Sequence, residues 1–517
     1  MDLILGDENF SSSPDWSELP NNTIINLFSM LTYRDRASLS SVCRRWRSLG
    51  ASPCLWQSLD LRSHEFDIST ANSLSNRCGS LQKLCFKGLE SEEAIISLKA
   101  NNLVEINGNF NIYLDMDVTL SIIVAKHEML ETIQLRGTSI NTCGIKAIGL
   151  CCPNLKKLWL RRVNYIRSEA IHTLASNCQR LIDVAFMDCS GVDFEALTNI
   201  VSLRFLNLAG SDKLESDEFI EQLIKFPNLI ALDVSRTKIK SSGISKLLSC
   251  SHTLKVLCAI KCEALENDTN FNPTNVMGIE LISMLTRIPI SLSSLALNHA
   301  DNVMAWIEQV LSHSIIKLIQ SKPYDVGDFW DNQGAHLVTD LLKSSQDDVQ
   351  EIAIRAIANF LIIDEEDEIL YIDRANAIVA GGGIQFILNL GKSSNENVQI
   401  NVATKNVAGT LANMASDEKI STEIIKNGGL KALLILTQEC MSEGVLNKAV
   451  LAFANLAGIG YSNCENIEVG LEQRLEQLIL SPLDNARQEA ANVLWNLSSD
   501  KNILGTIKMH DLIEDLV

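Results

Sequence analysis

Residues 155–186 read LKKLWLRRVNYIRSEAIHTLASNCQRLIDVAF, and the fold follows from how this stretch repeats itself. Leu155, Leu158 and Leu160 are answered by Leu181, Val184 and Phe186, so the spacing L-x-x-L-x-L is written twice. Alternation at the end of that motif sends side chains inward from a short strand. Between the copies, the segment from Ser168 to Ala175 fits a helix on the outer, convex side. Further anchors fall in both directions, giving Leu81, Leu103, Leu130, Leu155, Leu181, Leu203, Leu229 and Leu254, spaced by 22, 27, 25, 26, 22, 26 and 25 residues. Three positions after each comes a second aliphatic: Leu84, Ile106, Ile133, Leu158, Val184, Leu206, Leu232 and Leu257. Two further on, Gly108 and Ala259 are the weak members. A period of about 20–50 residues marks an architecture in which each unit buries its apolar face on its neighbours.

This pattern is similar to leucine-rich repeats of the F-box-associated, cysteine-containing subtype, and predicts an α/β arc of about eight repeats over residues 63–264. Cys78, Cys152 and Cys178 stand three residues before an anchor. Cys189 and Cys262 stand eight after one, where the repeat takes a small buried residue able to pair with backbone. The outward positions of the concave strands are the expected binding surface. Trp159, Asp183, Asn207 and Asp233 are the substrate-binding candidates there, alongside Lys83, Gln134, Lys157 and Lys255. Trp159 reads equally as a binding residue or as a cover for the neighbouring strand. Eight repeats make a shallow arc, so no closed small-molecule cage is expected.

From about residue 331 a longer period begins. Asn359, Asn413, Asn455 and Asn496 follow alanines or a tryptophan at intervals of 54, 42 and 41 residues, and Gly382-Gly383 and Gly428-Gly429 mark the sharp breaks expected to start new units. About 42 residues per unit with Ala-rich packing is the armadillo pattern. An all-α superhelix of about four units is expected over 331–517. Asn413, Asn455 and Asn496 are the candidates for a peptide groove, or else asparagines bonding within the repeats. Residues 265–330, with a helical run from Val303 to Ile319, join the arrays and are expected to cap the arc.

Upstream, residues 1–13 read as a flexible tail and 14–62 as three short helices. Ile24, Ile25, Leu27, Phe28 and Leu31 form one apolar stripe; Gly50 ends the third helix, followed by Leu55-Trp56. So small a unit has more apolar side chains than it can hide. It is either a helical cap on the next domain or a docking module whose spare face takes a partner. The order Leu19-Pro20, the Ile24–Leu31 stripe, Asp35 to Leu39, Val42-Cys43-Arg44-Arg45-Trp46-Arg47 and Leu55-Trp56 closely resembles the F-box family. That resemblance implies a Skp-type adaptor as partner and, through it, cullin and RING subunits. It assigns Leu19, Pro20, Ile24, Ile25, Leu27 and Leu31 to the adaptor-facing part. Trp46 and Trp56 are expected in the module's core and its junction with the arc, with the arginines on a solvated face.

Composition narrows the function. A net charge of −19 disfavours a nucleic-acid protein, whose affinity rests on cations neutralising phosphates, and an anionic membrane surface. No uncharged apolar run of about 18 residues calls for a membrane span, and the acidic start is unlike a signal peptide. The chain is therefore expected in the nucleus or cytoplasm, with its 14 cysteines as reduced thiols. No Cys/His pairing suggests a metal, and no cofactor is expected. Gly391-Lys392-Ser393 looks like the end of a phosphate loop, but the required first glycine position holds Phe386. No catalytic residue is assigned, and the chain reads as a non-enzyme.

The order of F-box, leucine-rich and armadillo repeats, with DWSELP, LTYRDRASLSSVC, GASPCLWQSLDL and SSQDDVQE, resembles the plant arabidillo family. The resemblance implies a monomeric substrate-recognition subunit within a Skp–cullin–F-box ubiquitin ligase, acting on a protein substrate in root development. The alternative is a scaffold or decoy without productive ligase use. The family's armadillo array is about twice as long and its basic N-terminal extension has no counterpart here, so the chain resembles a shortened member.

Overall fold

The computed structural model describes residues 19–493 except 32, 63–65, 88–90, 110–115, 138–139, 165, 212–216, 267, 269, 272–278, 284–291, 321–333, 362–367, 393–399, 440–442, 459–470, 480–486, 489 and 492. The tail 1–13 and Asn496 lie outside them.

Ten parallel strands form one sheet in sequence order: β1 (Ser58–Asp60), β2 (Lys83–Lys87), β3 (Glu105–Asn109), β4 (Thr132–Arg136), β5 (Lys157–Arg161), β6 (Asp183–Met187), β7 (Phe205–Asn207), β8 (Ala231–Asp233), β9 (Val256–Cys258) and β10 (Glu280–Ile282). The second aliphatic of each motif makes one unbroken column: Leu84, Ile106, Ile133, Leu158, Val184, Leu206, Leu232 and Leu257 pair in register. The column gains Leu59 at one end and Leu281 at the other, so residues just after the F-box and within the connector extend the arc. Gly108 breaks the leucine pattern for a steric reason: a Cβ there would lie 2.3 Å from the Phe86 ring. Helices such as Thr142–Cys151 and Ser168–Asn177 return on the convex side, burying Ile145, Ile148, Ala170, Ile171 and Leu174.

The predicted cysteine positions are interior. The Cys189 thiol contacts the carbonyls of Leu160 and Met187 and takes a hydrogen bond from the Val163 amide at 3.4 Å; Cys262 donates to the Val234 carbonyl at 3.3 Å. Burial pushes the thiols of Cys78 and Cys178 up to about 11 and those of Cys152 and Cys189 to about 12, which suits packing groups rather than nucleophiles.

The F-box helices (Asn21–Ser29, Tyr33–Val42 and Arg44–Gly50) pack through Ile24 and Phe28, with Trp46 edge-on to Phe28 at 6.0 Å. Buried Arg36 donates from Nε to the Phe28 carbonyl at 2.8 Å and from Nη1 to the Leu55 carbonyl, joining the first helix to the exit segment. Trp56 Nε1 donates to the Gly50 carbonyl at 2.9 Å. Ile24, Phe28, Leu55 and Trp56 share one apolar core with the interior of the arc.

Beyond the arc, inner armadillo helices Asp347–Phe360, Ile400–Met414 and Glu443–Gly458 stack in succession. Outer pairs Glu368–Ala380 with Gly383–Lys392, and Glu418–Lys426 with Gly429–Glu439, flank them. The glycine pairs therefore turn the chain inside a unit rather than opening a new one.

Asp301–Gln320 departs most from expectation. Instead of capping the end of the arc, this helix lies along the concave face of the sheet and is also the first member of the inner armadillo stack. Val303, Met304, Trp306, Ile307, Val310, Leu311, Ile315 and Leu318 are all buried, the pattern of a helix enclosed between two layers. From β5 onward the sheet is thus a wall between two cores. In β6, Val184 and Phe186 point into the first, and Ala185 and Met187 into the second.

Candidate docking surfaces

On the F-box, the six adaptor-facing candidates divide. Pro20 and Leu27 are exposed, Leu19, Ile25 and Leu31 are half-buried, and Ile24 is 1% exposed. Ile24 is a correction: one helical turn from Phe28, it packs into the module's own core and offers nothing to a partner. Met30 at 76% exposure and Val42 at 65% join Leu27 at 41% as exposed large apolar side chains of the module. Leu27 and Met30 share a face by their three-residue spacing, which marks Met30 in the sequence. Arg45 is not merely solvated: its guanidinium bonds Asn21 Oδ1 at 2.8 Å and the Leu19 carbonyl, holding the chain entering the first helix.

The concave candidates are not at the surface. Trp159, Asp183, Asn207 and Asp233 are 3%, 8%, 1% and 0% exposed. Trp159 donates to Asp183 Oδ1 at 2.8 Å, lies edge-on to His313 at 5.9 Å, and has the Lys157 ammonium over its ring at 4.0 Å. Phe205 meets Trp306 at 5.8 Å between ring centres. Asn207 and Asp233 turn inward on their own backbone, Oδ1 accepting the amides of Ala209 and Ser235, each at 2.9 Å. Such bonds fix the strand exit. Burial, opposed by Ser235, pushes the Asp233 carboxyl up to about 6. Burial raises Asp183 also, against Lys157 and Trp159. The reason is the covering helix, whose presence was legible in the apolar concave positions Ala185, Met187, Phe205, Ala231, Val256 and Cys258.

Toward β1 the concave positions are polar and a cavity of about 410 Å³ remains between sheet and helices. Asp60, Arg62, Lys83, Glu105, Gln134 and Asp347 line it, with Gln309 from the covering helix. No such enclosure was expected of a shallow arc. Its cations are matched: Arg62 holds Asp60 and, at 2.9 Å, Asp348; Lys83 holds Glu105 at 3.0 Å; Lys157 reaches Asp183 at 3.3 Å and donates to Gln309 Oε1 at 2.6 Å.

In the armadillo array Asn413 and Asn455 occupy equivalent places on successive inner helices, both half-buried. Asn455 Nδ2 donates to the Ala412 carbonyl at 2.9 Å, so one of its donors ties neighbouring repeats together. Asn359, at the matching place one unit earlier, is exposed. Among the described residues no helix is long and apolar enough to cross a membrane.

Residues 16–62 match the F-box-like family model. Two proteins of Arabidopsis thaliana are similar over most of this chain. ARABIDILLO 2 is 38% identical over 430 residues, covering 78% of this chain and 46% of its own length. ARABIDILLO 1 is 38% identical over 415 residues, covering 75% and 44%. The F-box/LRR-repeat protein 21 of Bos taurus is 25% identical over 196 residues, covering 33% of this chain and 45% of its own length. The chain spans less than half the length of the two Arabidopsis relatives.

Proposed function

We propose, from the premise that this chain belongs to the arabidillo family, that it is the substrate-recognition subunit of a Skp–cullin–F-box ubiquitin ligase. The observation that carries the reading is an F-box whose core is continuous with that of the arc while Pro20, Leu27, Met30 and Val42 stay exposed to solvent. An exposed apolar face on helices suits a helical partner, here a Skp-type adaptor. Catalysis then belongs to the ligase subunits, and this chain supplies proximity between substrate and charged enzyme.

With the far half of the leucine-rich groove covered by the chain's own helix, the substrate is assigned to the inner face of the armadillo stack. Asn359, Asn413 and Asn455 are the residues of choice there. A nuclear or cytoplasmic site of action and a role in root development belong to the same reading.

The test is co-purification of the full chain with a Skp-type adaptor. The wild type should bind, and Leu27→Asp with Met30→Asp should lose the adaptor while keeping its thermal transition, since both side chains are exposed. Failure of the wild type to bind, or equal binding by the variant, would leave a scaffold or decoy as the surviving function.

A further inference from the structure

Where β4, β5 and β6 end, cations gather in numbers their surroundings do not match. Asp188 receives Arg236 Nη1 at 2.7 Å, Arg161 Nε at 3.3 Å and Lys317 Nζ at 3.8 Å. Arg136, Arg162 and Arg355 stand near enough to bear on the same charges. Arg136, Arg161, Arg236 and Lys317 thus bear on this one carboxylate, in a chain whose net charge is −19, while Arg355 also acts on Glu351. Toward β1, by contrast, Lys83 pairs with Glu105 and Arg62 with both Asp60 and Asp348.

The buried polar atoms of the cluster are also incompletely bonded, Asp188 Oδ2 among them. Arg161 is only 12% exposed, and its Nε and Nη2 make no hydrogen bond among the described residues; nor do the buried Nε atoms of Arg236 and Arg355. Burial leads in pulling the Arg161 guanidinium down to about 10, with Arg136, Arg236 and Arg162 adding to it against Asp188. Lys317 is lowered by burial, and Arg161, Arg162 and Arg236 reinforce this against Asp188. Burial raises Asp188, yet Arg236, Arg161 and Lys317 together hold it below the usual carboxylate range.

Backbone geometry maintains the convergence. Arg162, Asp188, Gly210, Arg236 and Lys261 occupy the same turn position of five successive repeats, all with left-handed φ between 53° and 74°. Gly210 alone is unstrained there, and it is needed: a Cβ would lie 2.3 Å from Asp188 Oδ1 and 3.1 Å from Arg236 Nη1, obstructing the pair that crosses it. The other turns keep charged side chains where glycine would be easier.

We propose that this cluster is a binding site for a small anion carrying two or more phosphate groups. Guanidinium forks match phosphate oxygens in pairs. Cations issuing from the ends of β4 and β5, the turn after β8, and two helices are too widely spread for one phosphate. An ammonium and several guanidiniums held together at partial burial gain most from a compact ligand of high charge. Convergence of strand ends, a turn and a helix on one carboxylate favours a small ligand over a strand or a membrane. The site does not depend on F-box docking.

Calorimetry and thermal unfolding of the full chain with inorganic tripolyphosphate, at constant ionic strength, test this. Tripolyphosphate should bind and raise the transition by several degrees, with citrate and sulfate well behind. Arg162→Gly and Lys317→Met should each weaken binding roughly tenfold, the loss of one charge-assisted contact. Without ligand, both variants should unfold no earlier than wild type, because each relieves like-charge repulsion. No binding by the folded wild type, equal binding of citrate, or unaltered affinity in both variants would overturn the proposal. So would early unfolding of both variants with an unchanged ligand response, which marks a purely structural cluster.

Discussion

The two halves of the concave face are built on the same repeat and the same register, yet meet opposite fates. From β1 to β4 the outward positions include Asp60, Lys83, Glu105, Thr132 and Gln134, which are polar and border a cavity, with Lys83 paired to Glu105 and Cys85 buried among them. From β5 to β9 they include Trp159, Ala185, Phe205, Ala231, Val256 and Cys258, and the helix Asp301–Gln320 covers them. The hidden leucines settle that an arc forms. The side chains between them settle whether it keeps an open groove. Burial of large apolar side chains at about 1.5–3 kcal/mol each favours an intramolecular occupant over solvent in the far half only.

Breaking the covered half should give the largest effect. Trp306→Ala removes the ring facing Phe205 and should cost about 3–5 kcal/mol in denaturant unfolding; a cost near that of a surface substitution would mean the helix does not rest on the sheet. Asp233→Asn sharpens the contrast through pH. With its folded pKa raised to about 6 from 3.8, the wild-type carboxyl lends its full stabilisation below pH 3.8 and loses it as pH rises through 6. The amide keeps the acceptor for Ser235, so the variant's stability relative to wild type should improve by up to roughly 3 kcal/mol between pH 3.5 and 7.5. Urea midpoints at the two pH values check this, and a difference independent of pH would contradict it. The smallest effect belongs to the polar half. Asp348→Asn removes a pair whose acid is 41% exposed, and should cost no more than about 1 kcal/mol, less still at high salt.

Much of this was legible in the chain. The L-x-x-L-x-L period located the strands because burial on the convex side admits little but aliphatics, and even Gly108 departs for want of space beside Phe86. Cys189 and Cys262 were readable as backbone partners since few other residues are both small and able to bond there. What a single motif could not convey was long-range pairing. Trp159 and Asp183 look like surface residues until a helix over one hundred residues away in sequence arrives, and Asn207 and Asp233 look available until their side chains fold back onto their own strands. The outward apolar run after β5 was a usable signal, but one that shows only when the repeats are read as columns. Ile24 misled because F-box spacing locates the helix, not which turn faces its own core. The cation cluster combines neighbours in space from distant segments, and only Arg161-Arg162 hint at it in sequence.

Backbone hydrogen exchange across the full chain tests the central claim, that the helix Asp301–Gln320 is built into the concave wall. Its amides should exchange as slowly as those of β5 to β8, and Trp306→Ala should speed exchange in both together. Rapid exchange of the helix beside a sheet that stays protected would contradict the account and return Trp159, Asp183, Asn207 and Asp233 to the open surface.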